Sequence, residues 1–142
     1  MALVESFSGI RGVYGKDLTD SIAVKYAWAY LSFLRNKTTK KDLTIVIGAD
    51  TRPSGVKIID AIMGILDCNF IDVGIAPTPA IEFAVRHFEA DGGLIITASH
   101  NEPYWNGFKF LGNDGAVLNE KEMNIIINKK KSLIISDKPI PS

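Results

Sequence analysis

The sequence is poor in cysteine. Cys68 is the one thiol in 142 residues, which excludes an internal disulfide framework. Within "ILDCNFIDVG" it reads as a small buried hydrophobe rather than a nucleophile. Long apolar runs are also missing. "TIVIGA" and "GLIIT" fall far short of the roughly 20 residues that a membrane-spanning helix needs. Neither charge is in excess, because sixteen Lys and Arg balance sixteen Asp and Glu. That balance argues against nucleic acid or an anionic membrane as the main partner. Any anion must be held by local groups. The opening "MALVESFSG" has no basic stretch followed by an apolar one, so no secretory signal is visible and a cytoplasmic location is expected. No internal repeat and no low-complexity segment occurs.

What is there suits a soluble domain with a core of its own: 46% apolar and 23% charged residues. Residues 3–7, "LVESF", form a short candidate strand that runs into a glycine-flanked loop, "SGIRG". "LTDSIAVKYAWAYLSFLRNK" has helical spacing, with Thr19, Asp20 or Ser21 available to cap it. "LTIVIGA" (43–49) is a β-branched run of the kind buried on both faces of a sheet. A helix over "VKIIDAIMGILD", a second buried strand in "NFIDVGI", a helix over "AIEFAVRHF" and a third buried strand in "GGLIITA" follow. "GFKFLG" is a fourth strand, and it lacks room for a crossover helix before it, so it pairs antiparallel. A last helix covers "NEKEMNIIINKKK", with Asn119 as its cap. The alternation predicts a three-layer α/β/α fold around a mixed, mostly parallel four-stranded sheet. Residues 1–135 form the domain in this reading, and the proline-bearing tail at 136–142 is a linker to something that follows.

Three loops fall after strands: "DTRPSG", "APTPA" and "TASHNEPYWNG". Ligands of open α/β sheets sit beyond the carboxyl ends of strands, so these loops are where a site belongs. Ser99 is a candidate nucleophile, although it lacks the G-x-S-x-G elbow of an α/β-hydrolase. Ser99 as a plain turn cap, with Asn101 bonding to backbone, fits the spacing as well. His100 is its neighbour, and in extended backbone the two side chains point apart. Period two puts Phe108 and Phe110 on one side of the strand and Lys109 on the other, either in solvent or within reach of Ser99. Arg11 stands between glycines, where its guanidinium fork suits a phosphate. Asp50 and Arg52 either bind a ligand or form an internal ion pair that fixes their loop.

Taken together, "FSGIRG", "IGADTRPSG", "VGIAPTPAIEFAV" and "TASHNEPYWNGFKF" resemble, in order and spacing, the α-D-phosphohexomutases, the phosphoglucomutase and phosphomannomutase family. The last resembles the phosphoserine loop, usually T-A-S-H-N-P-x-x-x-N-G-x-K. The likeness runs from about Glu5 to about Asn119 and matches the first of the family's four domains. Glu102 stands where the family has proline, and Ser8 where many members have threonine or a tyrosine–aspartate pair. No Asp-x-Asp-x-Asp occurs in the chain.

The resemblance implies a mechanism. Ser99 would carry a phosphoryl group, give it to the free hydroxyl of a hexose phosphate, and take the other phosphate back from the bisphosphorylated sugar. Phosphoryl transfer is mostly positioning and charge neutralisation. Arg11 and Lys109 would supply cationic donors and His100 would orient the loop or the substrate. Ser8, Asn101 and Asn106 would contact substrate or phosphate. Magnesium would be bound through the phosphate on Ser99, with most of its ligands in an absent domain, and a hexose 1,6-bisphosphate would be the activator. The expected partners are a hexose phosphate and the remaining domains, with no nucleic acid or membrane. The isolated domain would be inactive alone. A non-catalytic sugar-phosphate-binding module is the alternative.

Overall fold

A computed structural model describes residues 3–6 and 8–136. The elements follow in the order β1 (Val4–Ser6), β2 (Gly9–Val13), α1 (Asp20–Arg35), β3 (Thr44–Ala49), α2 (Gly55–Ile65), β4 (Asn69–Ile75), α3 (Thr78–His87), β5 (Gly92–Ile96), β6 (Trp105–Leu111) and α4 (Glu120–Ser136). Of the expected linker at 136–142, Ser136 closes α4 and the rest lies outside the described residues.

The strands form one mixed sheet in the order β1-β2-β6-β5-β3-β4. β3 runs parallel to β4 and β5, whereas β1–β2, β2–β6 and β6–β5 are antiparallel pairs. The sheet therefore has six strands rather than four and is not mostly parallel. β2 accounts for much of the difference. Its glycines read as loop, yet they let two backbones approach closely. A Cβ on Gly107 of β6 would lie 1.8 Å from the carbonyl oxygen of Ile10, so only glycine fits opposite this strand. β4 also departs from the expectation of a buried strand. It lies at the sheet edge, and its residues are exposed or half-buried throughout.

Alternation along β3 and β5 builds both faces. Ile45, Ile47, Leu94 and Ile96 join Phe108, Phe110 and the apolar sides of α1, α2 and α4 in one core, against which Cys68 is half-buried rather than fully enclosed. Val46, Ile95 and Leu111 face α3 with Ile81 and Val85. The three-layer α/β/α arrangement follows from this division. Each fully buried Leu, Ile or Phe contributes roughly 1.5–3 kcal/mol. Tyr30 is wholly buried among them. Its hydroxyl donates to the Leu111 carbonyl and accepts from the Gly93 amide at 2.9 Å.

Thr19 is the residue that caps α1, through its Oγ1 and the Ile22 amide at 3.2 Å. Asn119 and Glu122 cap α4 reciprocally: Asn119 Oδ1 accepts from the Glu122 amide at 2.8 Å and Glu122 Oε1 from the Asn119 amide at 3.1 Å. A part-buried cluster joins β1 to these helices. The Tyr26 hydroxyl donates to Glu5, and the Lys130 ammonium lies 4.7 Å from the centre of the Tyr26 ring. Burial pushes the Lys130 pKa down. The cluster fixes the β1–β2 hairpin that carries Ser8 and Arg11.

Candidate functional site

Parallel β3 and β5 both end at the same edge of the sheet, and the loops that follow them meet there. The β5 loop turns sharply at Ser99, whose φ is +54°. A left-handed backbone costs a non-glycine residue roughly 1–2 kcal/mol, and it persists only where the surroundings hold it. Ser99 is exposed at the tip of this turn, and so is His100.

The surroundings that hold the turn are hydrogen bonds. The Ser99 amide donates to Thr97 Oγ1 at 3.1 Å, and Thr97 Oγ1 donates to Asp50 Oδ2 at 2.6 Å. Asp50 also accepts from the Arg52 amide and Nε at 3.2 and 3.0 Å. Arg52 then spans the turn. It donates to the carbonyl oxygens of Ser99 at 2.7 Å, Glu102 at 2.6 Å and Trp105 at 3.3 Å. The Asp50–Arg52 ion pair is thus present, one of the two readings the sequence left open. The pair's hold on a second loop was not legible, because its acceptors are backbone carbonyls some fifty positions away. The only local sign was the short Asp-x-Arg spacing.

Arg11 approaches from β2. Its Nη1 donates to Asn101 Oδ1 at 3.2 Å and its Nη2 to Ser8 Oγ at 3.4 Å. Both bonds are long and both acceptors neutral. Arg11 pairs with Gly107 across the β2–β6 ladder, and Lys109 lies two residues further along β6. Arg11 and Lys109 therefore share one face of the sheet, opposite Phe108 and Phe110. Among the described residues neither cation enters an ion pair. Ser8, Arg11 and Asn101 are thus joined beside Ser99, with Lys109 on the same face.

Asn106 lies apart from this group. It is 0% exposed, with its Nδ2 donating to Ser54 Oγ at 2.7 Å and its Oδ1 accepting from the Gly107 amide at 2.9 Å. A cleft of about 630 Å³ adjoins the loop, lined by Tyr14, Ser54, Lys57, Glu102 and Tyr104 among others. The Tyr14 hydroxyl donates to Asp20 at 2.6 Å, and this bond, with some burial, pushes its pKa up to about 12. A second cavity, about 390 Å³, opens at the other end of the sheet, where Lys37 and Lys40 are paired with Glu122 and Asp91. Its cations are already neutralised, so the Ser99 end is the better anion site. Among the described residues no three His, Cys, Asp or Glu side chains cluster as a metal site. No helix among them is long and apolar enough to cross a membrane.

Comparison with known proteins identifies the family. Residues 5–133 match the family model described as phosphoglucomutase/phosphomannomutase, alpha/beta/alpha domain I. The chain belongs to the phosphoglucomutase/phosphomannomutase family. It is 44% identical over 124 residues to a phosphoglucomutase/phosphomannomutase of Thermococcus kodakarensis, covering 85% of this chain and 27% of that protein. It is 38% identical to a phosphoglucosamine mutase of Prochlorococcus marinus, covering 90% of this chain and 28% of that one. A solved phosphoglucomutase/phosphomannomutase family protein from Burkholderia thailandensis superposes with a TM-score of 0.75 at 26% identity, over 95% of this chain and 30% of that structure. The chain thus spans little more than a quarter of the length of the curated relatives it matches. Its relatives in this family are longer enzymes.

Proposed function

We propose that this chain is the phosphoserine-bearing first domain of a hexose-phosphate mutase. The observation that carries the reading is the exposed, left-handed Ser99 two residues from Asn101, which bonds Arg11, with Lys109 on the same sheet face as Arg11; among the described residues neither cation enters an ion pair. Such a turn presents a hydroxyl, and such cations accommodate the dianion it would carry.

In the reaction, the Oγ–P bond of phosphorylated Ser99 breaks as the sugar hydroxyl oxygen forms its bond to phosphorus. The hydroxyl proton leaves to a base, and the serine oxygen is left as an alkoxide to be protonated. The second half reverses these steps on the other phosphate of the bisphosphorylated hexose, so the net change exchanges the 1- and 6-phosphates. Arg11 and Lys109 offset charge on the transferring group. Asn101 and Ser8 hold Arg11 in place until the phosphate displaces them, and His100 lines the approach. Asn106 acts from inside, fixing Ser54 and the start of β6. The described residues supply no complete magnesium site, and the phosphate on Ser99 is this chain's contribution to one. A hexose 1,6-bisphosphate primes the serine. The chain depends on further domains for turnover and works in the cytoplasm.

The test joins this chain to the remaining domains of the Thermococcus kodakarensis relative and assays glucose, mannose and glucosamine 1-phosphates. Conversion of at least one, abolished by Ser99→Ala, is expected. Binding of sugar phosphate without conversion would leave the non-catalytic module as the better account.

A further inference from the structure

Ser99 and Arg52 point beyond the transfer step, to what makes that step possible. Arg52 is the more enclosed partner of its ion pair, with its side chain 8% exposed. One of its N–H groups is committed to Asp50 and others reach three carbonyls of a single turn. Asp50 is equally committed, since every group that reaches it is a donor: the Arg52 amide and Nε, and the Thr97 hydroxyl that supports the Ser99 amide. The two arginines of the site are therefore unlike. Arg11 holds two long bonds to neutral oxygens that an anion displaces easily. Arg52 holds bonds of 3.0 Å or less to Asp50, Ser99 and Glu102 that an anion would have to break, with a longer one to Trp105.

We infer that Arg52, aimed by Asp50, is a positioning residue that locks the Ser99 turn in its left-handed form and does not itself bind the transferring phosphate. The inference rests on the proposed role of Ser99. The physical reason for an arginine here is its shape. The carbonyl oxygens of Ser99, Glu102 and Trp105 need several donors in a rigid fork, and a lysine ammonium cannot reach all three from one stem. A carboxylate at residue 50 keeps the fork flat against the turn and also holds Thr97. Asp50→Asn would turn a donating amide toward donors, so it should act like loss of Arg52.

Two measurements test this. The first is amide hydrogen exchange on the 142-residue chain, which needs no activity. Arg52→Ala and Arg52→Lys should each speed exchange at Ser99, Asn101 and Trp105 on the order of 100-fold, as expected for losing several bonds to a charged group. Ile47 and Leu94 in the core should stay protected, which shows that the fold survives. Asp50→Asn should do the same, and at Asn101 and Trp105, whose amides do not depend on Thr97, the double variant Asp50→Asn with Arg52→Ala should be no worse than Arg52→Ala alone. Millimolar guanidinium should restore protection in Arg52→Ala. Unchanged exchange at the three amides would overturn the clamp. The second is kinetics of the fused enzyme. Arg52→Ala and Arg52→Lys should both lower kcat about 100-fold, the cost of a misplaced reacting group, with KM for the sugar phosphate little changed. A raised KM with kcat intact, rescued by lysine, would make Arg52 a phosphate ligand and overturn the inference. An inactive wild-type fusion would sink the proposed function and with it the transfer role of Arg52, while the exchange result would still stand or fall alone.

Discussion

The Arg11 guanidinium meets the side chain of Asn101 at 3.2 Å, although the two residues are 90 positions apart. That contact brings the first hairpin to the Ser99 turn. It also leaves a cation held by weak bonds next to the proposed phosphate.

Arg11→Ala should therefore lower kcat/KM of the fused enzyme about 10²–10³-fold, the usual loss on removing a charge-stabilising donor. Arg11→Lys keeps the charge but loses the fork, and it should recover only part of this. Steady-state assays against the same sugar 1-phosphate settle it. Equal activity in all three proteins would exclude Arg11 from the chemistry.

Among the described residues two non-glycine residues have positive φ, Glu89 at 52° and Ser99 at 54°. Glu89 follows α3 in the position glycine commonly takes after a helix. Glu89→Gly should raise stability by about 0.5–1 kcal/mol in urea unfolding and leave function untouched. Ser99→Gly should also relieve strain, yet abolish turnover. If Glu89→Gly destabilises, the strain reading of these turns is wrong.

Tyr30 shows what a single buried hydroxyl does. Tyr30→Phe would strip partners from the Leu111 carbonyl and the Gly93 amide inside the core. The cost should be about 1–3 kcal/mol, seen as a lower urea midpoint with an unchanged slope. No change would mean that water replaces the hydroxyl.

Burial pushes the Cys68 thiol up to about 11, an effect that nearby Arg35 only partly offsets. Its alkylation rate should stay low at pH 8 and keep rising past pH 9, where a free thiol levels off. The thiol form is the one the fold favours. The stabilisation is thus fully present below the ordinary thiol pKa and is lost as pH rises through about 11. A rate that is half-maximal at about pH 8.5 would show an ordinary thiol.

Much of this was legible in the sequence, for local reasons. β3 and β5 announce themselves by β-branched runs, α1 by its spacing and Thr19, and the Ser99 loop by where it falls after a strand. β2 was hidden because its strand character comes from β6, which closes on its glycines, and not from its own side chains. β4 has an apolar run like its neighbours, and only the strand order reveals it as an edge. Asn106 gives no local sign that its amide turns inward to Ser54. The reach of Arg52 is invisible for the same reason: its partners lie in another loop, and they are carbonyls that any residue would offer.

The central claim is that Ser99 takes the phosphoryl group, and phosphopeptide mapping of the fused enzyme after incubation with glucose 1,6-bisphosphate tests it most directly. One phosphate on the peptide holding Ser99, absent in Ser99→Ala, is the predicted result. Turnover of sugar phosphate with Ser99 unmodified, or undiminished in Ser99→Ala, would contradict it.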